Sequence, residues 1–548
     1  MSIRAPMRRL VSQESAALIQ SPNVPRSRFM GSFMRKTAFN ASLLVPFLVD
    51  EILPGDVIRY NVTAFIRQST PFVPVMDNQR VETFFFFVPN RLVWSNWKKM
   101  MGEQTTAGDS IGYVVPQLVS PAGGHPVSSI YDYMGLPVAG QIAAGQTISV
   151  NALPFRAYNL IYNEWFKDQS NVTTAVPLNT GDGPDTATAY TLYRRAKFAD
   201  YFTTALPWPQ KFTAPSVAIG GLAPVKGLGF LTGGTPTTVA ATFNETAPTG
   251  TTPNPWPQAS YSAYYPGNNA NIGVRAAYNG SQYGPQVFAD LSSATGVSIN
   301  TLRQAFLTQQ LLERDARGGT RYTEIIRAHF GVVSPDARQQ RPEYIGGGQS
   351  MVSITPIANT SNTSTGALSA TGSAAGSHRA SIAATEHGYV IGLVNVRAEQ
   401  SYSQGLHKMW TRTSRYDFYW PSLAQMGEQA ILRQELYCTG NDTDDATIFG
   451  YQERWQEYRT RYSDITGVFR PTAPTNIDEW HISEAFATAP VLGTTFIEDQ
   501  TMNTLDRVLQ AGATARTNNQ QFFGDFLIER DAVRPLPMYG TPATLGRF

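Results

Sequence analysis

Val81-Glu82-Thr83-Phe84-Phe85-Phe86-Phe87-Val88, closed by Pro89-Asn90, decides how this chain is read. β-Branched and aromatic residues fill the run and a turn pair ends it, so it is a strand. Side chains alternate between the two faces of a strand, so four consecutive phenylalanines cannot share one side. Both faces must be covered. One packs into a sheet core, and the other meets a further layer or another subunit.

Working outward, the apolar run 43–49 ends at Asp50-Glu51, and Leu53-Pro54-Gly55-Asp56 is a turn signal. Residues 57–66 are again mostly β-branched and aromatic. Far downstream, 388–396, 494–497 and 522–528 read as further strands. Between these ends the spacing becomes helical, at 92–101, 152–168, 298–315 and 320–330. In the third of these, Ile299, Leu302, Ala305, Phe306 and Leu312 share a face. Strands at both ends with helices between them predict one sandwich built from both extremities. Loops in a jelly roll can lengthen without disturbing the sheets. The expected fold is therefore mainly β with α-helical insertions: an eight-stranded antiparallel jelly-roll sandwich with long inter-strand loops.

The chain has 548 residues, of which 42% are hydrophobic and only 15% charged, below the roughly 25% usual for soluble domains. Charge-poor, aromatic-rich surface is what the centres of protein interfaces look like. The single cysteine, Cys438, excludes an intrachain disulfide, so stability comes from packing and assembly. Residues 1–20 have no apolar core of a secretory signal, and no run approaches a membrane span.

Net charge is +2, but its distribution is uneven. Arg4, Arg8, Arg9, Arg26, Arg28, Arg35 and Lys36 stand against one acid, Glu14. Residues 1–36 thus read as a basic arm suited to an anionic partner. Two segments are nearly uncharged. Residues 212–289 hold Trp256, Tyr261, Tyr264, Tyr265, Tyr278 and Tyr283 and read as an ordered surface excursion. Residues 351–377 are rich in Ser, Thr, Ala and Gly, the composition of a linker.

Catalytic and metal signatures are missing. The six histidines form no HExxH or CxxC-linked set, and neither Glu386-His387 nor Glu324 with His329 comes with a GxSxG elbow. The acidic loop 440–445 lacks calcium-loop spacing, and Gly318-Gly319 and Gly346-Gly347-Gly348 read as turns. No catalytic residue, metal or cofactor is expected. Basic and aromatic residues interleave at 94–99, 412–420 and 451–462, a mixture that suits base stacking or, in the last two, protein interfaces.

Several long runs resemble the gokushovirus (Microviridae) major capsid protein. Among them are TFFFFVPNRLVW at 83–94, ALPFRAY at 152–158, GVVSPDARQQRPEY at 331–344, HGYVIGLVNVR at 387–397 and RYDFYWP at 415–421. The resemblance spans most of the chain and fades over 1–20, 212–289 and 351–377. It implies a T=1 icosahedral shell of sixty copies around a circular single-stranded DNA genome. The arm would face inward, and 212–289 would form a protrusion at the threefold axes that meets a bacterial cell-surface receptor. Seven cations in each of sixty arms give roughly 420 charges against about one negative charge per nucleotide, so the arm neutralises only part of a genome. A small basic packaging protein and a minor pilot protein are the other partners implied, with the virion as location and the bacterial cytoplasm as the place of assembly. The alternative from another class is a secreted carbohydrate-active β-sandwich protein, which would place a carboxylate pair in an aromatic cleft.

Overall fold

The computed structural model describes residues 25–104, 106, 108–216, 299–332, 340–358, 368–499, 503–509 and 520–539, and six short strands between 225 and 289. The chain divides into one unit of residues 1–211 and 313–548 and a second of residues 212–312.

The first unit is organised by one antiparallel sheet. Its strands are β1 (Ser27–Phe39), β2 (Val45–Ile52), β3 (Val57–Gln68), β4 (Gln79–Pro89), β5 (Glu343–Met351), β6 (Ser353–Ala358), β7 (Leu368–Ala383), β8 (Gly388–Ala398) and β9 (Phe522–Arg534). Eight follow one another in the order β1-β9-β3-β7-β5-β4-β8-β2, and β6 hangs from β7. The sheet curls nearly into a barrel, in keeping with the expected jelly roll. No two of β1 to β4 pair with each other. Each takes its partners from β5 to β9, as in Phe39 opposite Phe522 and Leu393 opposite Phe84.

The four phenylalanines divide as the alternation requires. Phe85 and Phe87 join the core enclosed by the sheet, where Phe85 meets Phe47 edge-on at 5.6 Å and Phe47 stacks on Phe526 at 4.6 Å. Phe84 and Phe86 point the other way, onto Phe166 at 5.2 and 5.7 Å. That second core lies under a helical layer built on α1 (Leu153–Ile161), which continues as a π-helical turn, Tyr162–Phe166. Each fully buried ring contributes about 1.5–3 kcal/mol. The layer covers β2, β4 and β8, so β8 is buried on both faces. Over β3 it is absent, and β3 alternates buried and exposed along its length. A third core gathers Tyr201, Phe202, Tyr402, Phe449 and Phe496 beside the hairpin Glu428–Leu432/Ile448–Glu453.

Several elements differ from their sequence reading. β1 starts at Ser27, inside the stretch read as arm, because 27–39 pairs in continuous register with β9. Gly346-Gly347-Gly348 is strand, not turn. A Cβ at Gly347 would lie 2.2 Å from the Thr83 carbonyl oxygen, so β4 and β5 pack at a distance only glycine permits. The linker-like 351–377 is largely the strands β6 and β7, whose small side chains suit the same close packing. Thr494–Ile497 is a helical turn rather than a strand, and buries Phe496 and Ile497 in the third core. The span 92–101 forms two short turns, Asn90–Val93 and Trp97–Met100. The helix expected at 298–315 is α2 (Ile299–Arg317), followed after Gly318-Gly319 by α3 (Tyr322–Phe330). Ile299 and Phe306 on the predicted apolar face are 69% and 68% exposed.

The second unit holds three short antiparallel pairs. They are Val225–Lys226 with Phe288–Ala289, Leu228–Phe230 with Ile272–Val274, and Ala276–Tyr278 with Tyr283–Pro285.

Candidate functional surfaces

Of the basic residues expected to face DNA, Arg4, Arg8 and Arg9 lie outside the described residues. The others do not form a free cluster. Arg26 donates to the Gly55 carbonyl, and Arg28 grips Asp531 through two hydrogen bonds of 2.7 Å. Arg35 points to the inner side of β1 and donates to the Tyr133 carbonyl, where burial lowers its pKa, partly offset by Asp132. Lys36 is exposed on the opposite side, across from Asp525. Of the aromatics expected on the protrusion, Trp256, Tyr261, Tyr264 and Tyr265 lie outside the described residues. Tyr278 and Tyr283 are cross-strand partners.

The uncovered half of the sheet carries a trough of about 830 Å³ across β1, β9, β3, β7 and β5. Arg59, Asn61, Arg379, Ser381, Glu529 and Asp531 line it. Its acids are held by the chain itself. Asn61 donates to Glu529 at 2.6 Å, and Arg28, aided by Arg59, keeps the Asp531 carboxyl below its ordinary range. Arg59 sits opposite Ser381 and Arg379 opposite Asn61, so the two arginines are diagonal neighbours on one face, about 7–8 Å apart. Sequence reasoning missed this pair, because only the register of β3 against β7 joins residues so distant in the chain.

A second surface is an aromatic platform formed by residues 408–427 and 453–462. Trp410, Tyr416, Phe418, Tyr419, Trp420 and Tyr458 are all exposed, Trp410 at 69% and Phe418 at 52%. Beneath them the Arg412 and Glu457 side chains are buried, 2.9 Å apart, and Gln429 donates to the other Glu457 oxygen at 2.6 Å. Arg412 also lies 4.4 Å over the Tyr458 ring. The Trp455 indole donates to the Leu423 carbonyl at 3.0 Å, and Tyr419 stands edge-on to that indole at 5.5 Å. Both interleaved stretches noted in the sequence, 412–420 and 451–462, thus meet on one surface.

The residues weighed for chemistry have structural partners. Glu386 pairs with Arg91 at 2.6 Å, Glu324 turns back onto the Thr320 and Arg321 amides, and His329 lies 2.7 Å from Asp315. His378 is sandwiched between Thr83 at 2.7 Å and Ser350 at 3.1 Å, and burial lowers its pKa. In the acidic loop, the Asp445 carboxylate accepts from the Thr439 and Gly440 amides, which lowers its pKa. Among the described residues no three His, Cys, Asp or Glu side chains converge as metal ligands.

Comparison with known proteins adds sequence relatives. A family model described as capsid protein (F protein) matches residues 17–544. Capsid protein VP1 of Bdellovibrio phage phiMH2K is 45% identical over 557 residues, spanning 98% of this chain and 99% of its own. Capsid protein VP1 of Chlamydia phage 1 is 38% identical over 593 residues, and that of Spiroplasma virus 4 is 33% identical over 553; each alignment spans 96% of both chains.

Proposed function

This chain belongs to the phage capsid protein (F protein) family, among the gokushoviruses of the Microviridae, and on that premise we propose that sixty copies close into a T=1 icosahedral shell around a circular single-stranded DNA genome. The role is structural rather than enzymatic: a major capsid protein, a component of the virion that assembles with copies of itself. The observation that carries the proposal is the 45% identity running nearly end to end, because both the sheet and the loops that decorate it are then shared with a capsid protein.

The remaining parts of the reading rest on the charge of the basic arm and on the resemblance to the gokushovirus capsid proteins. The basic segment before β1 faces the interior and takes part of the genome's charge, and a small basic packaging protein and small cations take the rest. Lys36, Arg59 and Arg379 on the uncovered sheet face extend the same positive field. Residues 212–289 form the threefold protrusion that meets a receptor on the bacterial surface, and a minor pilot protein completes the particle. Assembly takes place in the bacterial cytoplasm. Electron microscopy of the expressed chain, alone and with single-stranded DNA, tests the reading. Isometric particles of one size are expected, and a chain that stays monomeric at every concentration overturns it.

A further inference from the structure

We propose that the aromatic platform of residues 408–427 and 453–462 is a copy-to-copy interface, with its exposed rings docking onto a second copy of this chain. The inference rests on the capsid reading and goes beyond it by naming the surface that does the joining.

Area is the first argument. An aromatic side chain offers about 150–250 Å², and these rings show roughly half of theirs. Trp410, Tyr416, Phe418, Tyr419, Trp420 and Tyr458, with Met409 and Met426 beside them, leave on the order of 800 Å² open. A standard interface covers that much on each partner, and a soluble monomer seldom exposes as large an apolar patch.

Charge separates the possible occupants. A nucleic-acid strand also stacks on rings, but it binds by displacing counterions with free cations. Here most of the cations are already engaged, and only Arg461, 3.5 Å from Asp464, stands largely in water. Arg412 holds Glu457, Lys408 holds Glu435 at 3.0 Å, and Arg459 holds Glu453. The Asp417 carboxylate accepts from the Thr413 and Ser414 amides, at 3.1 and 2.7 Å. Arg415 and Arg454 lie flat over Trp420 and Trp455, at 4.8 and 4.4 Å. A surface whose charges are mostly settled internally loses less on desolvation, which favours a protein face.

Rigidity is the third argument. The Trp420 indole is tied to the Arg415 carbonyl at 3.1 Å, and Tyr419 and Tyr458 are wedged against Trp455 at 5.5 and 6.1 Å. Rings fixed before contact give up little entropy on docking, which is how anchor residues come to dominate an interface. In a closed shell such a patch meets another patch of the same chain, repeated in every subunit.

The test uses the full chain, following particle formation by sedimentation and electron microscopy as concentration rises. The Trp410→Ala/Phe418→Ala double variant is expected to need at least tenfold more protein to form shells, with the melting of unassembled subunits unchanged. Phe418→Tyr should assemble as the parent does. Hydrogen exchange on parental shells, independent of any variant, should show residues 409–420 protected relative to free subunits. Equal assembly of the double variant, or no protection, overturns this inference and leaves the capsid reading standing. Normal shells that retain less single-stranded DNA would assign the platform to nucleic acid and also overturn it. A parent chain that never assembles overturns both.

Discussion

Arg156 and Asp185 are among the few charged side chains shut almost completely away from water, at 2% and 3% exposure. They meet through two hydrogen bonds of 2.8 and 2.7 Å, and the guanidinium also reaches the carbonyls of Val93 and Gly181. Tyr190 donates to the same carboxylate. The knot ties α1 to the ends of two long connections beneath the second core. Burial works against the charge on Asp185, but the hydrogen bonds from Arg156 and Tyr190 outweigh it and hold the carboxyl below its ordinary value. Asp185→Asn strands a buried cation, and a loss of about 3–5 kcal/mol is expected in urea denaturation. Because the folded pKa is depressed, the pair's stabilisation is complete above about pH 4 and fades as pH falls through the folded value. The gap between parent and variant should therefore narrow below pH 4. Nothing in the sequence marks this pair. The partners stand 29 residues apart in a stretch read only as helix and loop, and burial, not spacing, gives them their weight.

Among the elements, β5 and β7 were the hardest to foresee, and the reason is packing distance. β2, β3, β4, β8 and β9 advertise themselves through β-branched and aromatic residues. β7 consists largely of Gly, Ala and Ser and β5 is centred on Gly346-Gly347-Gly348, because they lie where neighbouring backbones and the His378 ring come too close for larger side chains. Composition alone makes such a strand look like a linker. The difference is measurable with two glycines in the same sheet. Gly347→Ala sets a methyl 2.2 Å from the Thr83 carbonyl and should cost about 1–3 kcal/mol or more. Gly31→Ala on β1 meets no atom of the described residues within 4 Å and should be neutral or slightly stabilising, by up to about 1 kcal/mol. Thermal melting of the two variants side by side checks the contrast. Similar losses at both sites would mean that backbone freedom, not space, sets the need for glycine.

For the molecule as a whole, clustering of strands at both ends was enough to read one sheet from two extremities, and the Phe84 to Phe87 run was enough to read two covered faces. The aromatic composition of the platform was equally legible. Its internal ion pairs were not, since Arg412 and Glu457 meet only after the hairpin between them has folded. Residues 212–312 form a unit by themselves. Replacing 212–289 with a short bridge should therefore leave the circular-dichroism spectrum and melting of the sheet nearly unchanged while abolishing attachment to host cells. A bridged chain that does not fold would place the segment in the core. The interleaving of β1 to β4 with β5 to β9 also governs how the protein is made. While a ribosome is still translating, the first four strands have emerged but have no sheet partner among the described residues until residue 343 and beyond. At about 5–20 residues per second that wait lasts roughly 10–50 s, with sticky strand edges in the open. Completion of the sheet is thus deferred until Phe522–Arg534 leaves the exit tunnel to lie between β1 and β3, so a truncated translation product lacks its keystone and is a client for chaperones or proteases rather than a subunit.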